Sequence, residues 1–321
     1  MFALRGVAVS FSVFVILYCA LSLLVCGVWR RAWLGGLRHS ARRCADLLFA
    51  LRLAPFVVAA GVTLALAVPS FLLLEPRAVE EPMGAVAVAL GLCGMIVLLA
   101  GVWKAAAALR RASQTVGRWS SQASVIESHA VNFGDSVSVL RVAGTVPPLT
   151  AAGILRPSVW LSRAAEFVLT ERELETALRH EFVHVRRRDN LRKLILRLVA
   201  FPGMAELESA WREVTEMAAD DAAVASASDA LDLAAAVIKL SRLNPLEPPA
   251  ELTTALVHSP AESVNARVER LIAWTEPKQS PERRYSFVYA LCAALAVVAT
   301  LAVTYSELLV RVHAATEWLV R

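Results

Sequence analysis

Charge is scarce in this sequence. Of its 321 residues only 19% are Asp, Glu, Lys or Arg, 57% are hydrophobic, and the mean hydropathy is +0.55. Soluble domains carry about a quarter charged residues, so a disordered chain, an acidic tail protein and an ordinary soluble enzyme are excluded. Cysteine is sparse as well. Cys19, Cys26, Cys93 and Cys292 fall in uncharged stretches, Cys44 stands alone, no CxxC pair occurs, and residues 104–284 contain no cysteine. This leaves neither a disulfide framework nor a cysteine-built metal site. Internal repeats and long low-complexity linkers are also missing.

What is present instead is long uncharged sequence. Gly6–Trp29, Leu53–Leu74, Pro82–Trp103 and Tyr285–Ser306 carry no charged residue, and about 20 apolar residues suffice to cross a bilayer as a helix. The first window is too long for a signal peptide and lacks a small-residue cleavage site. Pro55 and Pro69 in the second are compatible with a membrane helix. Basic residues set the orientation. Arg30, Arg31, Arg38, Arg42, Arg43 and Arg52 face a single acid, Asp46, between the first two windows. Lys104, Arg110, Arg111 and Arg118 follow the third, and Lys278, Arg283 and Arg284 precede the fourth. Positive loops stay in the cytoplasm. The expected order is three spans in 1–103 (about 6–29, 53–74 and 82–103), a cytoplasmic domain at 104–284, and a fourth span with a short extracytoplasmic tail at 285–321. Both termini are then outside. The net charge of +5 belongs to these loops; residues 104–284 hold 23 basic and 22 acidic side chains, which leaves no cationic excess for gripping nucleic acid.

Within 104–284 the pattern changes. Lys104–Gln122 reads as a helix running on from the third span. Ser136–Val142 and Ser158–Leu161 read as strands, with Gly144, Pro147, Pro148 and Gly153 as turn residues. Thr170 and Glu173 form a capping box that opens a helix. Further helices are expected from Asn190 towards Val199, over about Ala205–Ala227, over about Asp229–Leu243, and over Ser263–Trp274. Asn244-Pro245 and Pro248-Pro249 mark a loop.

The helix opened by Thr170 contains His180-Glu181-Phe182-Val183-His184. Positions i and i+4 share a helix face, so both imidazoles can reach one metal ion, while the intervening glutamate can take a proton from the metal's water. Chance placement would give roughly 0.007 such patterns in this composition. A catalytic zinc needs a third protein ligand and an open position. Glu213, Glu216, Asp220 and Asp221 on the later helical stretch all offer a carboxylate. Glu216 and Asp220 lie i, i+4, so one can bind the metal while the other accepts a ligand histidine's ring N–H.

The order of the motifs adds a resemblance. Gly153-Ile154-Leu155-Arg156-Pro157, the strand at Val159–Leu161, the HExxH helix, Asp189 and Glu216-Met217-Ala218-Ala219-Asp220 follow one another. Residues about 140–225 thus resemble the membrane metallopeptidases of the BlaR/MecR type, the signalling proteases of antibiotic-sensing receptors in bacterial plasma membranes. The resemblance implies a mostly α protein: four transmembrane helices and a cytoplasmic zincin-like α+β domain with a small edge sheet. It implies Zn2+ held by His180, His184 and Glu216, with Glu181 as general base, Asp220 behind a ligand histidine and Asp189 as a supporting acid. The substrate would be a cytoplasmic regulatory protein such as a repressor, or the protease itself; a homodimer is compatible with this. Two departures stand out. Phe201-Pro202-Gly203 and a separate Trp211 replace the family's Trp-Phe-x-Pro element. Arg321 lies about fifteen residues past the fourth window, so a penicillin-binding sensor is not expected.

Ser158, Val159, Trp160 and Leu161, just before the zinc helix, are expected to form the sheet edge on which substrate adds as a strand. A housekeeping protease for membrane proteins or lipid-anchored peptides would carry the same motifs. A non-catalytic scaffold with structural zinc would not need Glu181. His129 and His258 read as surface histidines, and Ser259-Pro260 and Ser280-Pro281 as turn starts. Arg186–Arg188, Arg192, Lys193 and Arg197 among leucines read as a basic amphipathic run lying on anionic lipid.

Overall fold

The computed structural model describes residues 2–36, 40–76, 84–121, 123–125, 137–142, 147–199, 201–243, 252–256, 261–275 and 304–317. His129, His258, the two Ser-Pro steps, the loop at 244–249 and the fourth window up to residue 303 lie outside the described residues. The described chain is mostly helical with one small mixed sheet, and it divides into two compact units.

The first unit comprises Met1–Gly27, Leu53–Ala100 and Pro277–Arg321. Its helices are α1 (Phe2–Gly36), α2 (Ala41–Val62), which passes through a π-helical turn at Thr63–Ala67 into α3 (Val68–Leu74), and α4 (Ala85–Ser120). Phe2–Arg31, Ala41–Leu74 and Ala85–Ser120 are each long and apolar enough to cross a membrane. Lipid offers no hydrophobic drive for helix association, so small residues and polar contacts do the joining. A Cβ at Gly91 would lie 2.8 Å from the Ala8 carbonyl oxygen, and Ser12 Oγ donates to the Ala87 carbonyl at 2.8 Å. Pro69 has no N–H for the Ala65 carbonyl four residues earlier. The helix widens there, with the Val68 N–H reaching Thr63, and the Tyr305 hydroxyl donates to the Ala65 oxygen at 2.8 Å.

The second unit comprises Val28–Arg52 and Gly101–Glu276. It thus takes in the ends of α1 and α2 as well as the segment expected from 104 onwards. Arg52, 1% exposed, donates through Nε to Glu208, and Phe49 packs on Trp211. Asp46, the lone acid of its loop, accepts from both Arg187 and Arg192. Two members of the basic run expected on lipid are therefore paired inside the unit.

Its sheet contains β1 (Ala123–Val125), β2 (Val139–Val142), β3 (Leu149–Ala152), β4 (Ser158–Ser162) and β5 (Thr253–Ala255), in the order β1-β2-β4-β3-β5. β2 and β4 are parallel and the other pairs antiparallel. This corrects the expectation for Ser158, Val159, Trp160 and Leu161. They form an inner strand whose two sides are taken by β2 and β3, and they have no free edge for a substrate. Val159 and Leu161 lie in the main core, while Trp160 packs on Trp119.

Among the described residues of this unit the helices after β4 are α5 (Arg163–Val168), α6 (Glu171–Arg187), α7 (Asp189–Leu198), α8 (Ala205–Ala223), α9 (Ala227–Ser241) and α10 (Ala261–Ile272). The capping box forms: Thr170 Oγ1 accepts from the Glu173 N–H, and Glu173 Oε2 accepts from the Thr170 N–H. α8 stops at Ala223, short of the expected Ala227, because Ser226 leaves helical geometry to cap α9 through the Asp229 N–H. Ala177, Leu178, Phe182 and Val185 of α6 join Leu149, Ala151, Val159 and Leu161 of the sheet and Leu233 and Val237 of α9 in one core. That burial, about 1.5–3 kcal/mol for each large side chain, seats α6 against β3.

Candidate metal centre

The apolar side of α6 fixes its rotation, and the neighbouring turn of the same helix carries the histidines inward. His180 and His184 are 0% and 2% exposed. Their Nε2 atoms face each other at 3.1 Å. α8 brings Glu216 to the same point, with Oε2 3.5 Å from His180 Nε2 and Oε1 3.6 Å from His184 Nε2. Behind the rings, His180 Nδ1 lies 2.9 Å from Asp220 and His184 Nδ1 lies 2.8 Å from Asp189. A carboxylate at each Nδ1 assigns the ring proton to that nitrogen. Both Nε2 atoms then present lone pairs, and Glu216 adds its oxygens to the same spot.

Such a set needs a positive charge at its centre. Burial alone would lower the His180 pKa, yet the carboxylates of Asp220 and Glu216 beside the ring raise it to about 9. Burial opposes ionisation of Glu216 too, but the charges of His184, His180 and Arg267 bring it down to about 2. The spacings suit a metal. Tetrahedral ligands about 2.0–2.2 Å from zinc stand roughly 3.3–3.5 Å apart, against the 3.1, 3.5 and 3.6 Å found here. His180, His184 and Glu216 therefore form a group that could hold an ion, and each histidine has the backing carboxylate that metal-binding imidazoles usually have.

Glu181 is also fully buried but stands apart from this trio. Its Oε2 accepts from the Ala151 N–H of β3 at 3.0 Å, and Oε1 has no hydrogen-bond partner among the described residues. Burial pushes its pKa up to about 7, against the pull of His184 and His180. A carboxylate with one tethered oxygen, one free oxygen and a near-neutral pKa is equipped to accept and return a proton.

The chain between these residues is built to place them. Arg188 takes left-handed backbone geometry (φ 53°) and ends α6 abruptly. α7 begins at the next residue, so Asp189 turns back onto His184. Asn190 Nδ2 donates to the carbonyls of Ala151 and Gly153. Gly153 has φ +100°, and a Cβ there would lie 2.7 Å from the Arg156 oxygen, which explains glycine at the start of the G-x-x-x-P segment. The site residues expected from sequence on α6, α7 and α8 are thus brought together, and those on β4 are not.

Other participants were not visible in the sequence. Arg267 of α10, 3% exposed, holds Asp220 through Nε and Nη2 at 2.9 and 2.7 Å and lies 3.2 Å from Glu216. Ala151 tethers Glu181, and β5 lies along β3 with Thr254 opposite Ala151 and its hydroxyl 3.5 Å from Glu181. A lone arginine on an amphipathic helix and two strands of three or four residues carry no local signal. No protein-family model matches this chain, and no curated protein matches it.

Proposed function

We propose that the chain is a membrane-anchored zinc endopeptidase, as its resemblance to the BlaR/MecR-type proteases implies. The observation that carries this reading is the convergence of His180, His184 and Glu216 beside a buried, separately tethered Glu181. Zinc, when bound, would lower the pKa of a water and polarise the scissile carbonyl. His180, His184 and Glu216 would hold the ion; Asp220 and Asp189 keep the two rings in the tautomer that leaves Nε2 free. Glu181 would take the proton of the attacking water on its free oxygen and pass it to the leaving amine. The Ala151 N–H fixes the other oxygen of that carboxylate.

The catalytic unit faces the cytoplasm and the chain crosses the membrane four times, as the basic loops require. A reporter fused within Arg31–Arg43 should read cytoplasm, and one at Glu80 or after Arg321 should read outside. A cytoplasmic signal at the C-terminus would remove the fourth span.

The substrate is a regulatory protein, such as a repressor, or the chain itself. β5 favours the second. It lies antiparallel on β3, where Thr254 is the residue of that strand opposite Ala151 and beside Glu181, and a protease substrate commonly adds to a sheet in that manner. Peptide mapping of the zinc-loaded protein should find new chain ends within Thr253–Ala255, and Glu181→Gln should lack them. An enzyme that cuts other proteins yet never acquires those ends would exclude self-cleavage.

A further inference from the structure

β5 is held by more than its pairing with β3. Lys193 Nζ of α7 donates to the Thr253 carbonyl at 2.8 Å, Thr150 Oγ1 of β3 to the Thr254 carbonyl at 2.5 Å, and Arg267 Nη1 of α10 to the Leu256 carbonyl at 2.8 Å. Three separate elements thus grip the segment, and every one of these bonds goes to main chain. None depends on what side chain β5 carries. Arg267 is a guanidinium, whose hydrogen bonds are about twice as strong as neutral ones, while burial lowers the pKa of Lys193. Arg267 is fixed in place by its two hydrogen bonds to Asp220, so the carbonyl it holds is held beside Glu216 and Asp220.

We infer that Lys193, Thr150 and Arg267 form a main-chain clamp for the peptide that this site cuts, a reading that rests on the endopeptidase function proposed above. An extended segment laid antiparallel along β3 has its carbonyls taken where Thr253, Thr254 and Leu256 now sit. Side-chain selection falls to the two ends. Leu252 and Leu256 are both fully buried, Leu252 against Ala108 and Ala112 of α4 and Leu256 in the main core. The substrate class is therefore an extended, unfolded segment with apolar residues four positions apart, the residues between them being of any kind that fits.

The test uses the full-length chain in detergent micelles with fluorescein-labelled β-casein as the probe. Lys193→Met keeps the side-chain stem and removes the amine; Thr150→Val keeps the shape and removes the hydroxyl. Each should raise KM for casein by roughly threefold or more, as befits a lost hydrogen bond, with kcat within about twofold and zinc content unchanged. A second readout needs no catalysis. In the Glu181→Gln background, amides of residues 252–256 should exchange with solvent roughly tenfold faster in either variant, while α6 and α9 keep their protection. Unchanged KM and unchanged exchange would overturn the clamp, as would zinc loss or faster exchange throughout the unit, either of which would make these side chains merely structural. A zinc-loaded wild type that shows no Glu181-dependent cleavage of casein would instead overturn the endopeptidase reading, and the exchange measurement would still decide whether the clamp exists.

Discussion

Glu181→Gln should carry close to one zinc per chain and lose at least about a hundredfold of its peptidase activity, the low end for removal of a general base. Glutamine fits the space, and its amide oxygen can still accept the Ala151 N–H that now goes to Oε2. The metal ligands are His180, His184 and Glu216, so the exchange removes no contact to the ion. What it removes is the basic oxygen. The same variant should also be the more stable protein at high pH. Burial raises the Glu181 pKa to about 7, well above the value near 4.3 of an unfolded glutamate. The folded site therefore holds this proton more tightly than the unfolded chain does. Ionising Glu181 costs stability that begins to be lost above about pH 4.3 and is fully lost above about pH 7. Glutamine never ionises. In metal-free protein, thermal melting of Glu181→Gln should match wild type at about pH 4 and exceed it at about pH 8. Zinc content, casein cleavage and the two melting curves are all needed. A variant that still cleaves casein would show that another group takes the proton, and the assignment of Glu181 as the base would fall.

The parts of this site that were legible in the sequence are those that local geometry determines. His180 and His184 are one helical turn apart, and the Thr170–Glu173 box that starts their helix lies within the same short stretch, so spacing alone places both rings on one face. Glu216 was narrower ground. Four carboxylates on the later turns of α8, Glu213, Glu216, Asp220 and Asp221, were available, and only the order of the motifs singled one out. β3 and β5 were illegible for a physical reason. Leu149-Thr150-Ala151-Ala152 and Thr253-Thr254-Ala255 are too short to show alternation, and β5 pairs with a strand about a hundred residues earlier. The error at Ser158–Leu161 has the same source. Nearness to the HExxH helix along the chain does not place a strand at the sheet edge. β3 returns antiparallel to β4, however, and lies between it and β5. Arg267 reaches Asp220 from 47 residues away, and a lone cation gives no hint of such a partner.

Glu216→Ala should empty the site rather than merely silence it. With the carboxylate gone, two imidazoles remain, one ligand fewer than catalytic zinc sites provide. Zinc content after dialysis should fall to a small fraction of wild type and cleavage should vanish together with it. The neighbouring glutamate supplies the control. Glu213 is exposed and one turn earlier on α8, and it belongs to no cluster with the histidines, so Glu213→Ala should keep both zinc and activity. Asp220→Asn should fall between the two. The amide oxygen can still face His180 Nδ1, but the charge that orients the ring and pairs with Arg267 is lost, and changes of this kind weaken metal affinity about 10–100-fold. The ordering is the discriminating result: zinc retention should run Glu213→Ala, then Asp220→Asn, then Glu216→Ala. If Glu213→Ala were the variant that lost zinc, α8 would have to slide about 4.5 Å along its axis and turn by about 60° from the position its buried Trp211, Val214 and Ala218 give it. If Glu216→Ala held zinc as tightly as wild type, the ion would be bound by some other group and the trio of converging lone pairs would not be the metal centre.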